Sequence, residues 1–216
     1  AGRYTNPSEF NWHGFLRSMD GNFIKFDAPN AGTQRDQGTY VTDLNSTGYI
    51  AGTVVDANNV GHGFLRAPDG TMIIVDVSNA GTGPGQGTWL GGLNENGAVA
   101  GYFYNAKSRA HGSLRDIDGN IVPITVHQAG NDPLQATIAY AINNDNIVAG
   151  YYVDSNRAYH GFVRLVTGKI KKFDAPDAVF GVSMGTLVGG INDDGEISGE
   201  YNGPGGGYDH GFLRIP

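Results

Sequence analysis

Cysteine is absent from the 216 residues, so the chain can hold neither a disulfide nor a thiolate metal site. Charge is scarce too: Asp, Glu, Lys and Arg make up 16% of the residues, against about 25% in an ordinary globular domain. Basic residues are the fewer, 14 against 21 acidic, for a net charge of −7. A chain without a basic face cannot release the counterions that drive nucleic-acid binding, so no nucleic-acid partner is expected. No apolar run reaches the roughly 18 residues of a spanning helix, so no membrane span is expected either. The sequence opens at Ala1 with no secretory leader, as a mature exported chain would. Glycine is what abounds, with 35 residues, about twice its usual share. That composition belongs to short strands and tight turns.

One pentapeptide recurs: HGFLR at 13–17 and 62–66, HGSLR at 111–115, HGFVR at 160–164 and HGFLR at 210–214. Its histidines His13, His62, His111, His160 and His210 are 49, 49, 49 and 50 residues apart. Aligning the copies gives three further segments. Segment A is TYVTDLN (39–45) and its equivalents, and segment B is AGTVV (51–55) and its equivalents. Segment C is the pentapeptide itself, and segment D is FIKFD (23–27) and its equivalents. All are short, rich in β-branched and aromatic residues, and bounded by Gly, Asn or Asp, so all are expected to be strands. A meets B, and C meets D, through turns such as NSTG and PDG, whose last residue favours positive φ. B meets C through a slightly longer loop. Only D meets the next A through a long connector of eleven residues, as in 28–38.

A four-stranded meander with one long crossover, repeated at this period, is the pattern of a β-propeller blade. We therefore expect one all-β domain over residues 1–216, a propeller of blades of 49 residues. Five blades are expected, the first and last incomplete: the chain opens on segment B at Ala1-Gly2 and closes on segment C. It thus holds five B and five C segments but four A and four D segments. Unpaired edges invite strand addition, so self-association through the incomplete blades is expected as well.

The same residues resemble a family. I-N-x-x-G-x-I-x-G-x-Y, then H-G-F-L, then D-A-P, as in 191–201, 210–213 and 27–29, is similar to the bacterial extracellular HAF repeat. The resemblance covers nearly the whole chain and implies a β-propeller at an extracellular or cell-surface location. The third copy departs from it at SLR (113–115) and TVHQ (125–128).

If the C–D turn is centred on Asp69, facing residues sum to 138, and His62 opposes Asp76. The same arithmetic pairs His13 with Asp27 and His160 with Asp174, whereas His111 faces Thr125. Carried inward, the expected rungs are Thr39–Val55–His62–Asp76, Thr88–Tyr104–His111–Thr125 and Thr137–Val153–His160–Asp174. An imidazole held by a carboxylate is a structural tie, and five histidines on successive third strands cannot converge on one catalytic or metal centre. Replacing His62 by Ala is expected to cost about 1–3 kcal/mol, the cost of leaving a buried polar partner unpaired. The repeated Arg17, Arg66, Arg115, Arg164 and Arg214 read as strand-end residues meeting a carbonyl or carboxylate. Asn45, Asn94, Asn143 and Asn192 read as turn formers.

A ligand site is expected among residues that break the repeat on the face of the D–A connectors and B–C loops. Tyr40 and Trp89 follow the inner-strand threonines and would rim an axial mouth. Arg35, Asp36, His127 and Asp132 lie in the connectors, and Glu9, Trp12, Lys107, Arg109, Arg157 and Tyr159 in or beside the loops. Aromatic platforms flanked by Arg and Asp suit a polar ring such as a sugar. The expected function is lectin-like carbohydrate binding, with no cofactor, no metal and no catalytic residue. A polysaccharide hydrolase or lyase is the alternative, with Asp36 and Asp132 as its carboxylates. The third possibility is an assembly protein joined through open edges.

Overall fold

The computed structural model describes every residue except Pro7, Asn131, Leu134 and 206–208. Among the described residues there is no helix, hence none long and apolar enough to cross a membrane. Eighteen strands follow one another in five units. The first unit holds β1 (Gly2–Thr5), β2 (Trp12–Arg17) and β3 (Phe23–Phe26), which are segments B, C and D. The second runs β4 (Gly38–Leu44), β5 (Ile50–Val55), β6 (Gly61–Arg66) and β7 (Met72–Val75). The third runs β8 (Gly87–Leu93), β9 (Val99–Tyr104), β10 (Ala110–Arg115) and β11 (Ile121–Ile124). The fourth runs β12 (Thr137–Ile142), β13 (Val148–Val153), β14 (Tyr159–Arg164) and β15 (Ile170–Phe173). The fifth holds β16 (Thr186–Ile191), β17 (Ile197–Asn202) and β18 (Asp209–Arg214), segments A, B and C.

Inside each unit, sequence neighbours pair antiparallel. The C–D register is the expected one, with Gly63 opposite Val75 and Arg66 opposite Met72. The inner rungs need a correction of one residue. Thr39 faces Val54 rather than Val55, and Val54 faces His62. Likewise Phe103, not Tyr104, stands between Thr88 and His111, and Tyr152, not Val153, between Thr137 and His160. Two local features make the shift. A bulge in every A strand, at Val41/Asp43, Leu90/Leu93, Ala139/Ala141 and Val188/Gly190, takes one residue of A out of step with B. The B–C loops pair Val55 with Gly61, Tyr104 with Ala110 and Val153 with Tyr159, so the residue before each of these B-strand ends faces the histidine. The B–C register puts Phe103 across from His111 in place of Tyr104, and brings an aromatic ring, Tyr152, across from His160.

Successive units are stapled in register. The chain enters each A strand past the C strand of the unit before, making a single parallel bridge at Trp12–Gly38, Gly61–Gly87 and Tyr159–Gly185. Gly87 sits at φ 106°, and a methyl group there would collide with the Gly61 carbonyl. Between the third and fourth units the equivalent residue is Ala136, and no such bridge forms among the described residues. The first three units therefore share an 11-stranded sheet, and the last two form sheets of four and three strands. The hydroxyls of Thr39, Thr88, Thr137 and Thr186 accept N–H bonds of 2.9–3.2 Å from Ala28, Val77, Val126 and Ala175, fastening each connector to the strand it feeds.

The core lies between units. Phe64 is fully buried against Leu16, Phe26 and Ala28 of the unit before, while Leu65 on the other face packs with Leu90, Leu93 and Val99 of the unit after. This two-faced packing recurs through Phe162 and Val163. At the two ends it stops. Among the described residues β1 pairs only with β2 and β18 only with β17, and Leu213, the counterpart of Leu65, is 63% exposed against 7%.

Candidate functional site

β4, β8, β12 and β16, the A strands of four different units, all border one cavity of about 820 Å³, with Arg3 of β1 on its wall. Gly91 and Gly92 let β8 lie against the β12 backbone at its bulge, where a methyl group would meet Tyr140 O or Ala141 Cα, and Gly189 and Gly190 border the cavity from β16. Tyr40 and Trp89 stand on its wall, their rings 6.3 Å apart edge to face. The Arg3 guanidinium lies over Trp12 and Tyr40, at 4.9 and 5.0 Å from the ring centroids. Tyr102 and Tyr140 continue the aromatic lining.

Burial sets the chemistry of these phenols. It raises the Tyr40 hydroxyl above its ordinary value, with the Asp36 carboxylate adding to the shift and Arg3 opposing it. Burial likewise pushes Tyr102 upward, and Tyr151, packed behind it, up to about 12. All three stay neutral O–H groups at any physiological pH. Asp43 is the one carboxylate among the described lining residues, and it is engaged: Oδ1 accepts from the Leu44 N–H and Oδ2 from the Leu93 N–H, each at 2.8 Å. The cavity thus offers aromatic faces, neutral hydroxyls and one cation.

The remaining expected ligand residues are not gathered there. Arg35 and Asp36 lie exposed on the first connector, 3.8 Å from each other, and only the Asp36 carbonyl reaches the site, accepting the Tyr40 hydroxyl at 2.7 Å. His127 is exposed on the third connector, and Asp132, further along it, donates its N–H to Gln135 Oε1. None of the four borders the cavity. Arg3, Tyr102 and Tyr140 do, and sequence reasoning missed them. The signal lay in the repeat: Tyr102 and Tyr140 replace Thr53 and Gly91 at positions where a bulky residue can only project into shared space.

Connectors and B–C loops do share a face. Gln37 Nε2 donates to Ala57 O and Asn59 Oδ1, Gln86 Nε2 to Ala106 O and Ser108 Oγ, and Gln135 Nε2 to Ser155 O. On the opposite face the asparagines do more than form turns. Each Oδ1 of Asn45, Asn94 and Asn143 accepts a turn N–H, while each Nδ2 donates 49 residues ahead, to Asn94 O, Asn143 O and Asn192 O at 3.0–3.2 Å. This amide ladder runs across four units.

The imidazoles of three units sit between two carboxylates. His13 Nδ1 is 2.9 Å from Asp27 and Nε2 3.3 Å from Glu9. His62 lies 2.8 Å from Asp76 and 3.8 Å from Asp56, and His160 3.1 Å from Asp174 and 3.7 Å from Asp154. Burial opposes ionisation of Asp56, but the Val60 and Asn58 N–H groups outweigh it and hold the carboxyl below the usual range. Rings stack on these histidines, Tyr4 on His13 and Tyr152 on His160. The recurrent arginines meet carbonyls and rings: Arg66 Nη1 donates to Ala67 O, and its guanidinium lies 4.9 Å over Phe26.

No family model matches the chain, and no curated protein matches it either.

Proposed function

We propose that the chain is a β-propeller of the HAF-repeat type, a secreted or cell-surface binding module that takes a carbohydrate in the cavity bordered by its A strands. The observation that carries this reading is the lining of that cavity by Tyr40, Trp89, Tyr102 and Tyr140 beside Arg3. Aromatic faces stack on the C–H surface of a sugar ring, and neutral hydroxyls and a guanidinium bond its oxygens. Four A strands about one space, three of them followed outward by B, C and D and the fourth by B and C, support the propeller. The hydrolase alternative is weakened, because inverting or retaining chemistry needs two carboxylates and the described lining offers Asp43 alone, already bonded twice. Titrating the chain with a panel of neutral and acidic oligosaccharides while following tryptophan fluorescence tests the reading. Saturable binding that Trp89→Ala abolishes is expected. No binding on a glycan array, together with no thermal shift from any sugar, overturns it.

A second reading concerns self-association through β1 and β18. It is favoured by their single-sided pairing and by the exposed Leu213. Light scattering at dilute concentration decides it: a monomer with protected β1 and β18 amides in hydrogen exchange rules out strand donation between copies.

A further inference from the structure

The five units act as internal controls for one another, and one of them inverts the local charge. In the second unit Asp56 and Asp76 flank His62, with Asn58 and Val60 in the B–C loop. In the fourth, Asp154 and Asp174 flank His160, with Asn156 and Ala158 in the loop and a single cation, Arg157, between them. At the same positions the third unit has Asn105 and Thr125 around His111, and Lys107 and Arg109 in the loop. Against the second unit, two carboxylates go and two cations arrive, in a protein whose net charge is −7.

The geometry gathers these changes into one place. Lys107, Arg109, Asn105 and His111 border an open concavity of about 620 Å³, together with Asn79 of the connector between β7 and β8. Asn105 organises it. Its Oδ1 accepts the Lys107 and Arg109 N–H groups at 2.9 and 3.1 Å, which sets the loop bearing both cations. That fixes the amide, so its Nδ2 donates to His111 Nε2 at 3.1 Å, and the imidazole proton resides on Nδ1. The ring is held in place by stacking on Phe103, centroids 5.3 Å apart. Burial, with Arg109 adding to it, lowers the His111 pKa, consistent with a neutral ring and a wall from which carboxylates have been removed.

We propose that this concavity binds an oxyanion, the carboxylate or sulfate of an acidic ligand, with Lys107 and Arg109 supplying the charge and Asn79 an amide donor. An anion approaching the equivalent place in the second or fourth unit meets two carboxylates, so the site exists in the third alone of these. The volume exceeds that of an oxyanion and has room for a sugar ring behind it. The site is separate from the cavity between the A strands and stands whether or not that cavity takes a sugar.

The test is a titration of the ¹⁵N-labelled chain with sodium sulfate, glucuronate and glucose at fixed ionic strength, read as amide shifts. Saturable shifts confined to residues 105–111 and Asn79 are expected with an anion and absent with glucose. A response to glucuronate but not sulfate assigns a carboxylate ligand, the reverse a sulfate. Lys107→Glu should weaken binding at least about tenfold, the factor expected when a charged contact is replaced by a repulsive one. Asn105→Asp, which installs the residue found at 56 and 154, should abolish it while leaving the spectrum of the folded chain otherwise intact. No saturable shift with either anion, or the same shift in both variants, sinks the proposal.

Discussion

His62 and Asn94 show how burial grades two repeated polar residues. The His62–Asp76 pair is close, at 2.8 Å, but its side chains are 31% and 45% exposed, so water replaces a lost partner cheaply. A buried partner was the premise of the larger cost, and with Asp76 this exposed, His62→Ala should cost about 0.5–1 kcal/mol. Asn94 is buried and makes four bonds, accepting from Asn96 and Ala98 and donating to Asn143 O and Asn146 Oδ1. Asn94→Ala should cost about 2–3 kcal/mol, because it orphans several buried groups at once. Urea unfolding of the two variants checks the order, and equal losses would contradict it. The lowered pKa of His111 gives a pH signature of definite sign. The unfolded chain binds the proton more tightly, so stability present above the ordinary imidazole value of about 6.5 is lost as pH falls towards the folded value. His111→Gln should remove that part of the slope. Unfolding curves of both proteins across that range measure it, and parallel profiles would refute the assignment.

The A strand is where an element's local rule fails and matters. Its alternation looks regular in sequence, yet the bulge after Val41, Leu90, Ala139 and Val188 shifts the rungs by one. Nothing in TYVTDLN marks which residue is left unpaired. The bulge follows from packing: Gly91 and Gly92 lie against Tyr140 and Ala141 of the next A strand, where an in-step strand would place side chains. The start of the same strand carries a signal that sequence reasoning did not use. Glycine at 38, 87 and 185 marks a close backbone passage, and Ala136 marks its loss. Gly87→Ala combines a left-handed φ with a collision against the Gly61 carbonyl and should destabilise by more than about 2 kcal/mol. Thermal denaturation tests this, with loss of less than about half that amount counting against the bridge as a staple.

Across the five units, each interface is built from the back face of one and the forward face of its predecessor. Leu65, 7% exposed, and Leu213, 63% exposed, are the same residue type in the same segment and differ only in whether a following unit covers them. Leu65→Ala should cost about 2–5 kcal/mol and Leu213→Ala under about 0.5 kcal/mol. Chemical denaturation of the pair measures this, and comparable losses would mean that Leu213 is covered in solution.

Periodicity carries strand number, order, hairpin pairing and the histidine–aspartate register, because each depends on contacts within about fifteen residues and on turns with a distinctive chemistry. Repetition at 49 residues also foretold that each such contact would recur. What separates distant residues into a site is another matter. Arg35, Asp36, His127 and Asp132 break the repeat on the expected face yet stay apart, whereas Arg3, Tyr102 and Tyr140 meet around one cavity. The difference arises because the cavity is formed by A strands from four units, and its lining depends on bulges, on glycine at the close approaches and on how sheets stack. Those are long-range packing outcomes, and no local pattern encodes them.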